Sequence, residues 1–464
     1  MAGLFSGLEI GKRSLLAQQL AMFTAGHNIA NVNTPGFARQ RTIMASTLPL
    51  DLPDGRMGTG VRTVSVDQLR DSFLDGQFRR EINSLGGWQA QERTLTQIEL
   101  IFTEPRDNTI GDLMSKFWQS WQEVASEPSA AARNAVVEQG KLLVNSFHQA
   151  SRQLNSLQSN LNAEIEKQAE LITDIGTQIA ALNKQIASGE LGGAKANDLR
   201  DVRNLLLDRL SSLAQISITE TSTGSVNVYI GSMEFVNSVE VHELETEVRY
   251  FDGVPTIQVN WGYSGTAVDF GGGNMGSLID ARDVWVPEAR EALDALVETL
   301  VTQVNTLHRQ GRTADGRTGV SFFDPLYLEA GSIQLNALLA DNPQQNIVAG
   351  PSDAESDVTI AQALADLAEM PAMPDGRSTL NGYYASVIGT IGARSREAME
   401  VTATQTLLVR TLENQRQSVM GTSLDEELAN MIKFQHAYEA AARVITTMDE
   451  AIGTVIQRMG VVGR

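Results

Sequence analysis

At 464 residues the chain is too long for one hydrophobic core, and its 36 basic against 56 acidic side chains leave a net charge of −20. That balance excludes nucleic acid and anionic membrane as main partners, since both need a positive footprint. The absence of cysteine excludes disulfides, thiolate chemistry and Cys-ligated zinc.

His27, His148, His242, His308 and His436 show no short metal-ligand spacing. No run approaches 18 consecutive apolar residues, so no membrane insertion is expected. Lys12 and Arg13 interrupt what would be the apolar stretch of a secretory signal, and by these rules alone the chain would be cytoplasmic. A surface that binds or assembles proteins, in two to four domains and with no metal or cofactor, is the class that remains.

From the N-terminus, Leu8, Leu15, Met22 and Ile29 repeat every seven residues, with Leu16, Leu20 and Phe23 as a second stripe beside them. The apolar arc is wider than a two-stranded coil needs. The helix runs into GHNIANVNTPGFARQR (26–41). Here Asn28, Asn31 and Asn33 tolerate left-handed backbone and can close the helix, Thr34 before Pro35 is driven extended, and Pro35-Gly36 suits the centre of a type II turn. Phe37 onward alternates like a strand. Physical chemistry leaves a plain helix stop and a specific assembly contact equally open for this stretch.

A long helix is expected over roughly 130 to 188, on the ladder Leu143, Phe147, Ala150, Leu154, Leu157, Leu161, Ile165, Gln168, Ile172, Ile175, Ile179, Leu182, Ile186. Two successive steps of four around Leu161 make a stutter that relaxes a left-handed supercoil. At 1.5 Å per residue it would be on the order of 80 Å long, so this part must be elongated.

Gly189 to Gly193 end that helix, and Asn197 is read as the cap of the next, with Leu199, Val202, Leu206, Leu210 and Leu213 inward. Period-two patterning over 216–270 (Ile216-Ile218, Val226-Val228-Ile230, Ile257-Val259), with turns at Thr223-Gly224 and Asp252-Gly253, indicates a β-rich inserted unit.

Helix resumes at about 277–309 on Val286, Ala289, Leu293, Leu296, Leu300, Val304 and Leu307. Residues 311–381 read as an irregular insertion, and 384–419 as helix.

The last forty residues carry Leu424, Leu428, Met431, Gln435, Tyr438, Ala442, Ile445, Asp449, Ile452, Ile456 and Met459 in steps of four and three, with Ala437, Ala441, Val444, Met448, Ala451 and Val455 as a second seam. Two apolar seams call for neighbours on two sides, as in a bundle or polymer wall. Ser423-Leu424-Asp425-Glu426 reads as a capping box, with three acids at the positive end of the helix dipole.

The expected fold is mainly α with a β-rich insertion, elongated and multi-domain, its terminal helices forming a coiled-coil or helical bundle. The division is 1–60 with 412–464, then 61–215 with 275–320 and 382–411, then a β-rich unit at 216–274 and a small insertion at 321–381.

One motif invites enzymology: Gly271-Gly272-Gly273-Asn274-Met275-Gly276 satisfies G-x-G-x-x-G between a β-like stretch and a helix. No second parallel strand follows, and Asp294 and Glu298 fall inside a helix, so a glycine-rich strand-to-helix turn is the simpler reading. No GxSxG elbow or comparable catalytic mark is present.

Ile29 to Phe37 with Arg39-Gln40 closely resembles the N-terminal signature of bacterial flagellar rod, hook and hook-associated proteins. Ser423 to Gln435, continued by Ala437 to Ile445, resembles its C-terminal half. Asp71 to Leu74, Glu127-Pro128 to Arg133, Asn197 to Arg209 and Gly276 to Leu278, with the long central ladder, are similar to the hook-associated protein 1 family over most of the chain except about 320–380.

The resemblance implies a non-enzymatic junction subunit between hook and filament, polymerising as a helical ring at the distal end of the hook. It further implies hook protein and hook-associated protein 3 as partners, a chaperone on the C-terminal helix, and unfolded passage through the flagellar type III export apparatus from cytoplasm to an extracellular site. Hook-associated protein 3 or another rod or hook subunit, a dinucleotide enzyme and a coiled-coil scaffold are the rival readings.

Overall fold

The computed structural model describes residues 2–52, 55–103, 108–251, 254–352 and 357–459. The chain starts with helix α1 (Ala2–Ala30), then strands β1 (Gln40–Ser46), β2 (Leu50–Leu52), β3 (Gly55–Met57) and β4 (Val61–Gln68), in which β1 pairs antiparallel with β4 and β2 with β3. Asp71, whose carboxylate accepts the Phe73 and Leu74 amides, opens α2 (Ser72–Thr103). Thr109 and Asp112 form a reciprocal capping box for α3 (Ile110–Ser126).

The spine is α4 (Ala130–Glu190), capped by Ser129 and 61 residues long, which at 1.5 Å per residue is about 90 Å. Its ladder is buried as expected except at two positions after the stutter. There Ala169 and Asn183 turn inward in place of Gln168 and Leu182, which are only half-buried. The drift follows from 3.6 residues per turn against a 3.5-residue pattern.

Next come α5 (Asn197–Leu213) and the antiparallel meander β5 (Ile216–Glu220), β6 (Val226–Ile230), β7 (Met233–Asn237) and β8 (Glu240–Val241). The hairpin β9 (Leu244–Phe251) and β10 (Val254–Trp261) forms a separate sheet. Only three of these six strands carry the runs named from sequence, and the turn expected at Asp252-Gly253 lies outside the described residues. In α5 the outward Val202 contradicts the expected apolar face; Asp201, Arg203, Leu207, Asp208 and Leu210 are buried there. Asn197 is no cap either: Ala196 holds that position, and the Asn197 amide donates to Val66 O at 2.8 Å and Gln40 Oε1 at 3.2 Å.

Helix α6 (Gly273–Asp280) passes through a π-helical turn at Ala281–Trp285 into α7 (Val286–His308). The short helices α8 (Ala337–Asp341), α9 (Pro343–Asn346) and α10 (Thr359–Asp366) punctuate the irregular segment, whose Phe322, Phe323, Ile333, Val348 and Leu364 are buried in the same core as α3, α4 and α7. The chain closes with α11 (Leu380–Met420) and α12 (Leu424–Met459). Helix α11 lies antiparallel on α2, Arg416 meeting Asp75 at one end and Tyr384 donating to Phe102 O at the other.

His308 sits in that core between Trp121 and Phe322, with Nδ1 at 2.7 Å from Val320 O and Nε2 accepting from the Val348 amide. Burial holds its imidazole down at about 4, against an ordinary 6.5. The unfolded chain therefore binds a proton that the fold refuses, so this contribution to stability is full above pH 6.5 and is lost as pH falls toward 4. His308→Gln should cost about 2 kcal/mol less at pH 4.5 than at pH 7.5 in urea unfolding. An equal cost at both pH values would contradict the neutral, buried histidine.

Candidate functional site: the joint of the two chain ends

Helices α1 and α12 run antiparallel. A Cβ on Gly11 would lie 2.7 Å from Ile445 Cγ1, an approach that favours glycine there, and one on Gly7 would lie 2.9 Å from Met448 Cε, the movable end of a flexible side chain. Among the described side chains, Gly11, Ala17, Ala21, Thr24, Ala25 and Asn28 are the buried positions of α1. The expected stripe Leu8, Leu15, Met22 and Ile29 is only half-buried, and Phe5, Leu16, Leu20 and Phe23 face outward. Gly7 and Gly11 face α12, the buried positions of α1 are mostly small, and the large apolar side chains lie on the flanks.

The same rotation divides the C-terminal ladder. Met431, Tyr438, Ala442, Ile445 and Ile452 are half-buried, whereas Leu424, Leu428 and Gln435 are exposed, and the buried contacts come from Glu427 and Ala441. Ser423 forms only half of the expected box. Its hydroxyl accepts the Glu426 amide at 3.5 Å, but the Glu426 carboxylate takes Arg39 Nη1 at 2.7 Å instead of turning back to Ser423.

At the end of α1 the chain turns as the sequence suggests. The Phe37 amide donates to Thr34 O at 3.2 Å around Pro35 and Gly36, and Gly36 has φ +77, the left-handed value a type II turn needs. Asn31 donates to His27 O and accepts from the Thr34 hydroxyl, while Asn33, Thr34 and Pro35 are exposed.

Asn28 does something other than stop the helix. It is buried, and its amide exchanges two hydrogen bonds of 2.9 Å with the Gln40 backbone, as a neighbouring strand would, and donates a third to Glu427 Oε2 at 3.1 Å. One side chain thus ties α1 to β1 and to α12.

Charge pairs extend the joint. Arg39 bridges Glu426 and Glu427, and its amide donates to Met420 O at the end of α11. The Ala38 amide donates to Asp201, which also takes Arg70; Arg70 pairs with Asp75, Asp75 with Arg416, and Arg416 with Asp208, which holds Arg79. Arg416 also lies 4.2 Å over the Phe78 ring. Burial pushes the Asp201 carboxyl up to about 6, a rise that the Ala38 amide and Arg70 only partly oppose.

The sequence reading found the asparagines and the turn but missed Arg70, Asp75, Asp208 and Arg416. No motif marks them, because apart from the near neighbours Arg70 and Asp75 the partners come from the distant helices α2, α5 and α11. Arg39, Gln40 and Glu427 stood inside the quoted signatures with no role attached.

The glycine motif at 271–276 is a packing corner. A Cβ on Gly273 would lie 2.7 Å from Leu213 O, and one on Gly271 2.6 Å from Gln215 Oε1, so neighbouring protein fills the space a pyrophosphate would need. Among the described residues, no group of three or more His, Asp or Glu side chains could hold a metal ion, and no helix is long and apolar enough to cross a membrane.

These features define an elongated, mainly α structural subunit organised around its own two ends. A family model described as the flagellar hook-associated protein FlgK helical domain matches residues 95–323, and one described as flagellar basal body rod FlgEFG protein C-terminal matches residues 412–458. The chain is 32% identical to flagellar hook-associated protein 1 of Bacillus subtilis strain 168 over 100% of both chains. With that of Escherichia coli K12 the identity is 25%, over 95% of this chain and 97% of the relative. The solved flagellar hook junction protein FlgK from Burkholderia pseudomallei superposes with a TM-score of 0.64 at 16% identity, over 74% of this chain and 100% of that one, a likeness of fold. The chain belongs to the flagellar hook-associated protein 1 family.

Removing one member of a buried charge network strands the others. Arg416→Leu should therefore destabilise the protein by about 3 to 5 kcal/mol in chemical denaturation. Arg394→Leu, which breaks an exposed pair with Glu288, should cost under about 1 kcal/mol. Similar costs for the two would contradict the buried network.

Proposed function

We propose that this protein is a structural, non-enzymatic subunit of the bacterial flagellum that polymerises at the distal end of the hook and adapts it to the filament. Family membership supports the hook-associated role. The observation that carries the mechanism is the outward placement of large apolar side chains on both terminal helices: Phe5, Leu16, Leu20 and Phe23 on α1, and Leu424, Leu428, Ile432, Val444 and Ile456 on α12. Paired through other faces, the helices keep these side chains for neighbouring copies. Repetition of one heterologous, non-closing contact builds a helical assembly.

In this reading 1–60 with 412–464 form the assembling unit, and 61–215 with 275–320 and 382–411 the long-helix unit. Residues 216–274 and 321–381 are lateral parts. Asn31, Asn33, Thr34, Pro35 and Gly36 lie where neighbouring subunits touch. Hook protein and hook-associated protein 3 are the axial neighbours. A chaperone covers the C-terminal helix in the cytoplasm, where its exposed apolar residues would otherwise aggregate, and the type III export apparatus delivers the chain to its extracellular site.

Two substitutions separate pairing from assembly. Leu428 is 45% exposed, so Leu428→Asp should leave the melting temperature of the monomer within about 2 °C of the parent, a surface-sized effect. In a deletion strain it should give hooks without filaments and flagellin in the medium. Ile445 faces Gly11, so Ile445→Asp should lose incorporation and also expose α1 to protease. Filaments of normal number with Leu428→Asp would refute the assembly role of that surface.

A further inference from the structure

Between α2, α5 and the edge strand β5 lies a half-open cavity of about 830 Å³. Its wall carries the cations Arg70, Arg79, Arg80, Lys195, Arg200 and Arg203 but only two carboxylates, Asp75 and Glu220, in a chain whose net charge is −20. Most of these cations have partners. Arg70 is held by Asp75 and Asp201, Arg79 by Asp208, Arg200 by Glu190 and Glu220, and Lys195 by Asp67.

Two differ. Arg203 is 2% exposed, and its Nη1 donates to the neutral Asn183 Oδ1 at 2.9 Å and Gly224 O at 2.7 Å, while its buried Nε has no acceptor. The carboxylates that attract it, Glu190 and Glu220, are both engaged by Arg200. Arg80, exposed in the wall of the same cavity, pairs with no carboxylate among the described residues.

A guanidinium taken out of water without a counter-charge is costly unless something supplies one. Burial and the neighbouring Arg200 push Arg203 down to about 10, as expected of a cation that lacks its anion. The asparagine and backbone acceptors on Arg203 satisfy hydrogens but bring no negative charge. The cavity is half-open and both arginines line it, Arg80 being exposed, so a small anion can enter it from solvent.

We propose that this cavity is a binding site for a small oxyanion of the phosphate class, seated between Arg203 and Arg80. Planar guanidinium forks suit tetrahedral oxyanions, and these bonds are charge-assisted. The bound anion braces α2 and α5 against β5, and because it binds the fold and not the unfolded chain it raises thermal stability.

The test uses the full chain as dilute monomer, with orthophosphate titrated against chloride at matched ionic strength. Binding is followed by calorimetry, by phosphorus NMR line broadening and by melting temperature. Saturable binding at one site is expected, with affinity reduced about tenfold in Arg80→Glu. It should be unchanged in Arg410→Glu, which makes the same charge change on an exposed α11 residue. Arg203→Gln should abolish binding; should it fail to fold because Gly224 and Asn183 lose their donor, Arg80→Glu decides alone. No saturation by about 20 mM phosphate, or equal affinity in Arg80→Glu and Arg410→Glu, would overturn the site. Neither result depends on whether the chain assembles.

Discussion

A methyl group on Gly7 or Gly11 would strike Met448 or Ile445, and this close approach of α1 to α12 governs much of what surrounds it. The Ile445 side chain can lie against the α1 backbone because Gly11 carries no side chain, and the other buried positions of α1 are mostly small. The bulkier residues, which burial alone would send inward, are left on the flanks. On α1 the inward positions are mostly small and the external apolar surface is made of large residues, whereas α12 sends Ile445 and Met448 into the space the glycines leave. An isolated monomer then buries little per residue along this pair, and most of the driving force remains for neighbours.

The joint at the other end of the pair supplies what small residues cannot, which is register. Asn28 replaces a strand neighbour for Gln40 and at the same time holds Glu427. Arg39 fixes the start of α12, and the network through Asp201, Arg70, Asp75, Arg416 and Asp208 carries the connection into α2, α5 and α11. Buried ion pairs add little net stability against apolar replacements, but breaking one partner is expensive, so they penalise any other alignment of these helices. Rotation of the terminal pair against the α4 spine would have to break several of these bonds together.

Much of this was legible in the amino-acid sequence, for reasons that are local. The α4 ladder is long and strongly periodic, and Thr34-Pro35-Gly36 has one low-energy geometry. The illegible parts depend on what lies opposite. Nothing in α1 by itself says that Ala17 and Ala21 are buried while Leu16 and Leu20 are not; the elements packed on it decide that, α12 among them from about four hundred residues away. Asn183 was passed over for Leu182 because an apolar pattern cannot foresee a buried amide that serves Arg203, Val226 and Ser238. Glu426 would close a capping box in isolation and does not here, because Arg39 competes for its carboxylate.

The native chain has no cysteine, which allows the pairing of its ends to be locked without background. In a Gly11→Cys, Ile445→Cys double variant, oxidation of the dilute monomer should give an intramolecular crosslink. The locked chain should still add to hook ends, because pairing through this face leaves the outer apolar surface free. Absence of the intramolecular crosslink, or a locked monomer that no longer incorporates, would contradict the account.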